Sequence, residues 1–168
     1  MGLRRDALLP AAELIQRIRA IAMSEQPSGR GTVGYLNVFP NSRNVIPGRV
    51  QFSVDFRHPD DAGLLRLDHA LRTAIADLAT PEVSISVNQV VYFPPQPFDG
   101  ELVGLVRTAA TNAGLSHQEI VSGAGHDAVY VARTAPAAMI FIPCKDGISH
   151  NEIEDALPEH LTSGANVL

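Results

Sequence analysis

The last third of the sequence carries a glycine-rich segment whose residue types suit ligand binding. Residues 123–128 read Gly-Ala-Gly-His-Asp-Ala and precede a predicted helix, so their backbone N–H groups could converge on an anion at its positive end. A tight turn with an aspartate cap is the alternative interpretation of the same residues. The segment is therefore a candidate anion site with a purely structural alternative.

A second segment, residues 145–151, follows directly on the apolar run 138–142 and reads Lys-Asp-Gly-Ile-Ser-His-Asn. Open α/β sheets place their sites in loops at the carboxyl ends of such strands. His150 lies between Ser149 and Asn151 and could act as a metal ligand or as a general base. A solvated loop histidine is the alternative for His150.

Two candidates lie in the first half, Asn44 and Arg57, at the two ends of one predicted strand. An arginine on the polar face of a strand could bind a carboxylate with two parallel hydrogen bonds. A surface ion pair with Asp55 or Asp60 is the alternative. The other histidines read as surface residues: His58, His69, His117 and His160.

Hydrophobic periodicity predicts the elements that position these residues in the first half. It predicts helices over residues 4–23 and 60–79, and strands over residues 32–39, 44–57 and 83–92. The middle strand is the clearest, because Val50, Phe52, Val54 and Phe56 alternate with polar residues. The order helix–strand–strand–helix–strand is that of a ferredoxin-like unit without its first strand.

The second half begins after the chain-breaking run Phe93-Pro-Pro-Gln-Pro-Phe98, where we place the domain boundary. The pattern predicts helices over residues 99–114, 127–133 and 158–168, a short strand at 120–121, and a strand buried on both faces over 138–142. Strands mixed with helices predict a layered α/β (α+β) fold in two parts.

Length and charge exclude several classes of function. The chain has 168 residues, which suits one ordinary domain or two small ones. Its 13 Lys and Arg against 18 Asp and Glu give a net charge of −5, which argues against a nucleic-acid-binding surface. No apolar run approaches the ~20 residues that span a bilayer, and the single cysteine, Cys144, excludes an internal disulfide. The sequence predicts a cytoplasmic protein with no nucleic-acid or membrane partner.

Five sequence blocks occur in an order that resembles a known family. They are Gly-Thr-Val-Gly at 31–34, Asn-Ser-Arg-Asn-Val-Ile-Pro-Gly-Arg at 41–49, Ser-Val-Asp-Phe-Arg-His-Pro-Asp at 53–60, Ser-Gly-Ala-Gly-His-Asp-Ala at 122–128 and Phe-Ile-Pro-Cys-Lys-Asp-Gly-Ile-Ser-His-Asn at 141–151. Together they resemble the hydantoinase/carbamoylase amidases of the M20 metallopeptidase superfamily. These include N-carbamoyl-L-amino-acid hydrolases, allantoate amidohydrolases and β-ureidopropionases, and the resemblance covers essentially the whole chain.

The resemblance implies the domain organisation and the cofactor. Residues 1–91 would be most of a ferredoxin-like lid domain through which a homodimer forms, and residues 92–168 the C-terminal part of the α/β catalytic domain. A complete subunit would hold two divalent metal ions (zinc, manganese, cobalt or nickel), with His150 as one metal ligand. The substrate would be a small N-carbamoyl or ureido acid.

The resemblance also implies which residues contact that substrate. Asn44 and Arg57 would bind its carboxylate and amide, typically in the active site of the neighbouring subunit. Gly125 and the adjacent His126 would also bind the substrate, Gly125 through its backbone.

The remaining metal ligands and the catalytic glutamate of the family have no counterpart in this sequence, which contains no Glu-Glu pair. We therefore expect a fragment of a longer metal-dependent amidohydrolase, with no catalytic residue of its own and no activity in isolation. An M20 peptidase or aminoacylase is one alternative, although the block at 122–128 favours the carbamoylase branch. A stand-alone dimerisation or ligand-binding module is the other.

Overall fold

The computed structural model describes residues 3–168, and the chain divides into two compact units, Met1–Pro95 and Gln96–Leu168. The first unit contains helices α1 (Leu8–Ser24) and α2 (Asp61–Leu78) and strands β1 (Arg30–Thr32), β2 (Leu36–Phe39), β3 (Arg49–Phe52) and β4 (Asp55–Arg57). The second contains helices α3 (Gly100–Asn112), α4 (Ala128–Val131) and α5 (Pro158–Val167) and a 3-10 turn at Lys145–Gly147. Within residues 3–168, no helix combines the length and the apolarity that crossing a membrane requires.

Helices α1 and α2 pack against each other and against the inner face of the strands. Their apolar residues recur at spacings of three and four, which places one stripe of each helix on the core side. The buried cluster consists of Leu14, Ile18, Leu71 and Ala74. The Asp60 carboxylate begins α2 by accepting hydrogen bonds from the first-turn amides. Both predicted helices are confirmed, with ends within a few residues of the expected ones.

The strands of the first unit form an antiparallel hairpin that is interrupted once. Strand β1 pairs with β4, and β2 pairs with β3. Thr32 lies opposite Asp55 and Leu36 lies opposite Phe52, so residues 33–35 face only residues 53–54. One strand thus carries one residue more than its partner, which defines a β-bulge.

The prediction of a strand over 44–57 is therefore wrong about where the strand begins and ends, but right about which side chains point toward the core. The strand itself begins only at Arg49, shortly after Pro47, which lacks a backbone N–H for a ladder, and it is interrupted at the bulge. The apolar residues at 50, 52, 54 and 56 are half-buried and the residues between them are exposed. The structure thus keeps the alternation on which the prediction depended.

The predicted strand over 83–92 is not formed. Val83 and Ile85 are half-buried, and Ile85 packs against the core, so the inward alternation is real. No strand pairs with this segment in the described part of the chain, however, and a strand needs a hydrogen-bonded neighbour. The observed sheets are two pairs of strands, and the ferredoxin-like arrangement stays a prediction.

In the second unit the predicted helices are present and the predicted strands are not. Asp99 caps α3 by accepting the N–H of Leu102 at 2.9 Å, and Gly114 follows its end with φ +67°. Residues 120–121 and 138–142 form no strand, and Phe141 is 45% exposed, so the run is not buried on both faces. An apolar run can be buried in this way only between neighbouring strands, and residues 96–168 contain none.

Candidate functional site

Arg57 lies on the exposed face of β4 and is paired with Asp55 on the same face. Its Nε donates to Oδ1 at 3.1 Å and its Nη2 donates to Oδ2 at 2.7 Å. These hydrogen bonds are the main reason that the pKa of Asp55 is lowered and the pKa of Arg57 is raised. The surface ion pair that the sequence allowed is thus present, and carboxylate binding by Arg57 stays a prediction.

Asn44 lies in the loop between β2 and β3 and not at the end of a strand, as the sequence had predicted. It is exposed, and its Oδ1 accepts a hydrogen bond from the hydroxyl of Ser42 at 3.1 Å. Pro47 lies between Asn44 and the strand and lacks a backbone N–H, which is the physical reason that the ladder does not extend back to Asn44.

The loop that carries Asn44 is held firmly at its base. The N–H of Gly48 donates to the carbonyl oxygen of Phe39 at 3.1 Å, and the guanidinium of Arg49 lies 4.0 Å from the centre of the Phe39 ring. The carbonyl oxygen of Pro47 also accepts the N–H of Ala7 at 3.0 Å, just before α1. These contacts fix the base of the loop without engaging the Asn44 amide nitrogen.

The glycine-rich segment forms an extended loop in which alternate residues differ in exposure. Ser122, Ala124 and His126 are half-buried, whereas Gly123 and Gly125 are exposed. The loop therefore turns its two glycines outward, where a ligand could approach the bare backbone.

His126 is held from two sides within this loop. Its Nε2 lies 2.9 Å from the hydroxyl oxygen of Ser122. Its ring packs edge-on against Phe141, with 5.6 Å between the ring centres.

The structure does not supply the helix terminus that the sequence predicted for an anion at residues 123–128. Helix α4 has only four residues, too few for an appreciable dipole. Asp127 precedes it without a side-chain capping hydrogen bond, so the alternative interpretation as an aspartate cap is wrong.

His150 is exposed and has a backbone conformation that few non-glycine residues adopt. Its φ is +58°, in the left-handed region. The carboxylate of Glu154 accepts its N–H at 2.6 Å, and its ring Nδ1 lies 3.2 Å from the hydroxyl of Ser149. Strained backbone of this kind is common at functional sites.

We tested whether the described side chains could hold a metal ion by themselves. Residues 3–168 contain no group of three or more His, Cys, Asp or Glu side chains suitably placed for one. His150 would therefore supply at most one ligand, whereas metal sites with an open position use about three protein ligands. The described residues therefore do not form a complete metal site by themselves.

A polar cluster that the sequence interpretation missed joins three elements of the first unit. His58 was predicted to be a surface residue, but its side chain is only 8% exposed. It lies 3.8 Å from the carboxylate of Glu25, which also accepts two hydrogen bonds from Arg66 at 2.7 and 2.8 Å. The ring occupies the space that the absent side chain of Gly63 leaves, since a Cβ there would lie 2.1 Å from it, and no sequence pattern signals this contact.

His160 was also predicted to be a surface residue, and this prediction is wrong for its ring Nδ1. That atom is buried without a hydrogen-bond partner in the part of the chain that the structure describes.

Comparison with known proteins gives a consistent set of relatives. Residues 6–168 match the family described as "Peptidase family M20/M25/M40". The N-carbamoyl-L-amino-acid amidohydrolase of Rhizobium meliloti is 43% identical over 169 residues, which cover 100% of this chain and 41% of that protein. The allantoate amidohydrolase of Bacillus subtilis is 33% identical over 170 residues, with the same coverage of 100% and 41%.

Solved structures agree with these sequence relatives. A hydantoinase/carbamoylase family amidase from Burkholderia vietnamiensis superposes with a TM-score of 0.90 and 53% identity, covering 99% of this chain and 41% of that one. The chain thus spans about two fifths of the length of the proteins that it matches, and its mixed fold of helices and small sheets is theirs.

Proposed function

The chain belongs to peptidase family M20/M25/M40, and from this membership we propose that it is part of an amidohydrolase that cleaves linear C–N amide bonds of N-carbamoyl or ureido acids. The observation that carries the proposal is the 43% identity, over the whole chain, to an N-carbamoyl-L-amino-acid amidohydrolase. The relatives named above act on non-peptide amide bonds, which favours this activity over peptide hydrolysis.

We propose that Asn44 and Arg57 bind the carboxylate end of the substrate. Both side chains are exposed, and Arg57 carries a planar guanidinium suited to a carboxylate. A substrate carboxylate would share Arg57 with Asp55 or replace Asp55 on the Nε and Nη2 edge. Gly125 would contact the substrate through its outward-facing backbone, next to His126. These contacts would orient the substrate rather than carry out bond cleavage.

We further propose that His150 contributes one ligand to a divalent metal ion. Its exposed ring and left-handed backbone, held by Glu154, support this role. Members of this amidohydrolase family generally depend on metal ions, and the other ligands would have to come from outside residues 3–168. Such an ion would polarise the amide carbonyl and activate water.

The remaining proposals concern organisation. Residues 1–91 would form the lid and dimerisation domain of a homodimer, and residues 92–168 part of the catalytic domain. Zinc, manganese, cobalt and nickel are all compatible with histidine and carboxylate ligands.

A chimera tests this function directly. The segment of the Rhizobium meliloti enzyme that matches this chain would be replaced by residues 1–168, and release of ammonia from N-carbamoyl-L-amino acids would be measured with Mn²⁺. We expect turnover, and we expect His150→Ala to abolish it while Arg57→Gln mainly raises KM. His117→Ala is the matched control for His150, because it removes another exposed loop histidine. A folded chimera without activity, in which the parent retains its own, would contradict the proposal.

The isolated chain provides the complementary measurement. We expect no turnover above that of metal ion alone, since a single histidine cannot hold a metal centre. Turnover by the isolated chain would show that our assignment of the missing ligands is wrong. Ligand binding by the isolated chain together with an inactive chimera would favour a non-catalytic binding module.

A further inference from the structure

Ser122 makes three contacts through one hydroxyl group, and these contacts constrain the proton on His126. The hydroxyl oxygen accepts the N–H of Ala124 at 3.2 Å and lies 3.2 Å from the carbonyl oxygen of Ala124. Its third neighbour is Nε2 of His126 at 2.9 Å. A hydroxyl has only one proton to donate.

Only one assignment of protons satisfies all three contacts. The hydroxyl proton must go to the carbonyl oxygen of Ala124, which can only accept. The hydroxyl oxygen then accepts from both Ala124 N–H and His126, so Nε2 of His126 must carry a proton. In the neutral imidazole the other nitrogen, Nδ1, is consequently an acceptor.

Nδ1 of His126 is at least partly accessible to solvent. Among residues 3–168 the structure shows no hydrogen bond to this atom, and the only buried side-chain nitrogen or oxygen without a partner there is Nδ1 of His160. An unpartnered Nδ1 that is not buried must contact water. The Phe141 ring restricts the rotation that would exchange the two nitrogens.

We propose that Ser122 holds His126 in the Nε2–H tautomer so that Nδ1 accepts a hydrogen bond from an N–H of a ureido group. The inference rests on the proposed function and deepens it, because it specifies which atom of His126 accepts from the ligand and gives Ser122 a positioning role. The class of ligand follows from the chemistry of a urea-type group, which presents N–H donors. A neutral imidazole nitrogen can accept a hydrogen bond from such a donor, whereas a backbone N–H, which is itself a donor, cannot.

The tautomer is measured first, on the 168-residue chain labelled with ¹⁵N and at a pH where His126 is neutral. Long-range ¹H–¹⁵N spectra should show a protonated Nε2 and an unprotonated Nδ1 for His126. Ser122→Ala should give a mixture of tautomers, whereas Ser122→Thr, which keeps the hydroxyl, should resemble the wild type. A protonated Nδ1 in the wild type, or a tautomer unchanged in Ser122→Ala, would overturn the proposal.

Binding is measured next, by titrating N-carbamoylglycine and following the signals of Gly125 and His126. Loss of one hydrogen bond of about 1 kcal/mol corresponds to roughly five-fold weaker binding. We expect this loss in Ser122→Ala and in His126→Gln, which places its amide near the Nε2 position, but not in Ser122→Thr. A probe in which methyl groups replace all three urea N–H hydrogens lacks N–H donors and should bind wild type and His126→Gln equally weakly.

The outcomes separate this inference from the proposed function. Two results overturn the inference alone when the chimera is active. One is that Ser122→Ala and His126→Gln bind N-carbamoylglycine as tightly as the wild type does, and the other is that the NMR signals of His126 do not shift on titration. An inactive chimera, combined with the expected losses of binding in the 168-residue chain, overturns the proposed function alone.

Discussion

Arg30 lies directly opposite Arg57 in the β1–β4 ladder, and both residues are exposed. Like charges in directly opposed positions destabilise an antiparallel pair. The two positive charges are compensated in different ways. Arg57 is paired with Asp55, whereas Nη1 of Arg30 donates to the carbonyl oxygens of Pro27 and Gly29 at 2.6 and 3.0 Å. Asp55 is therefore the counter-charge of a cationic face.

Replacement of that counter-charge should weaken the ladder. We expect Asp55→Asn to lower the free energy of unfolding by about 0.5 kcal/mol at pH 7, a value discounted for solvent screening. Because the pKa of Asp55 is lowered in the folded state, its contribution is complete above the ordinary value of 3.8 and is lost as the pH falls further. Urea denaturation of wild type and variant at pH 7 and pH 2.5 should show a smaller difference in stability at pH 2.5 than at pH 7.

Asp68→Asn is the matched control for Asp55→Asn. Asp68 pairs with Arg72 at 2.7 Å, is similarly exposed, and has its arginine partner on the same helix. If Asp68→Asn destabilises the chain as much as Asp55→Asn does, the opposed arginine Arg30 has no part in the effect.

The β-bulge separates the β1–β4 ladder, which contains Arg57, from the β2–β3 ladder, whose connecting loop carries Asn44. Removal of the bulge should therefore change the position of Asn44 relative to Arg57. Deletion of Gly34 leaves two residues facing two, so we expect Val33 to pair with Val54 in a continuous ladder. Nuclear Overhauser contacts between these two residues would report the new pairing. In the chimera, the deletion should raise KM because Asn44 and Arg57 no longer keep their spacing.

Gly34→Ala serves as the control for the deletion. A Cβ at position 34 would meet only a methyl group of Thr32 at 4.0 Å, so the bulge should be retained. Unchanged KM in the deletion variant would show that the bulge does not set the position of Asn44.

Helices and the facing of β3 and β4 could be predicted because they depend on local periodicity. Leu14, Ile18, Leu71 and Ala74 are buried as their spacing predicts. The bulge could not be predicted from the 44–57 segment, because the extra residue lies on the opposite strand, around Gly34. The run 138–142 was predicted as a strand from its apolarity alone, although a strand is defined by a hydrogen-bonded neighbour.

In the candidate site, too, local spacing predicted some contacts and could not predict others. The pairing of Arg57 with Asp55 could be predicted, because residues two apart on a strand share a face. The contact of Ser122 with His126 spans four residues of irregular loop, for which no periodicity gives a facing. The burial of His58 depends on the glycine five residues later, at position 63, and only the folded chain reveals that the two residues pack together.

Glu25 should confer a pH dependence on the stability of the first unit. The hydrogen bonds from Arg66 are the main reason that its pKa is lowered from the ordinary value of 4.5. Its stabilising contribution is therefore present above pH 4.5 and is lost as the pH falls through the lowered pKa. We expect the urea midpoint of the wild type to fall between pH 5 and pH 3 more steeply than that of Arg66→Gln.

Arg72→Gln is the control for Arg66→Gln. It removes an arginine from the same helix, but one whose carboxylate partner lies four residues away on α2 rather than on another element. A pH profile as flat in Arg72→Gln as in Arg66→Gln would exclude the link between Glu25 and α2 as the cause.

Gly63 in α2 should tolerate an added methyl group less well than Gly104 in α3 does. A Cβ at Gly63 would lie 2.1 Å from Nδ1 of His58, whereas one at Gly104 would have nothing within 4 Å. We expect Gly63→Ala to destabilise the first unit by about 1–3 kcal/mol through overpacking. Gly104→Ala should stabilise α3 by about 0.5–1 kcal/mol, because alanine loses less backbone freedom in a helix.

Site-resolved hydrogen exchange is the appropriate measurement for these two glycines, since they belong to different units. The double variant His58→Ala/Gly63→Ala removes the ring that the new methyl group would strike. We expect it to be less destabilised than the sum of its single variants, because the variants at two contacting residues are coupled and the clash is absent without the ring. Strict additivity, or a Gly63→Ala variant as stable as the wild type, would show that the His58 ring is not confined by Gly63.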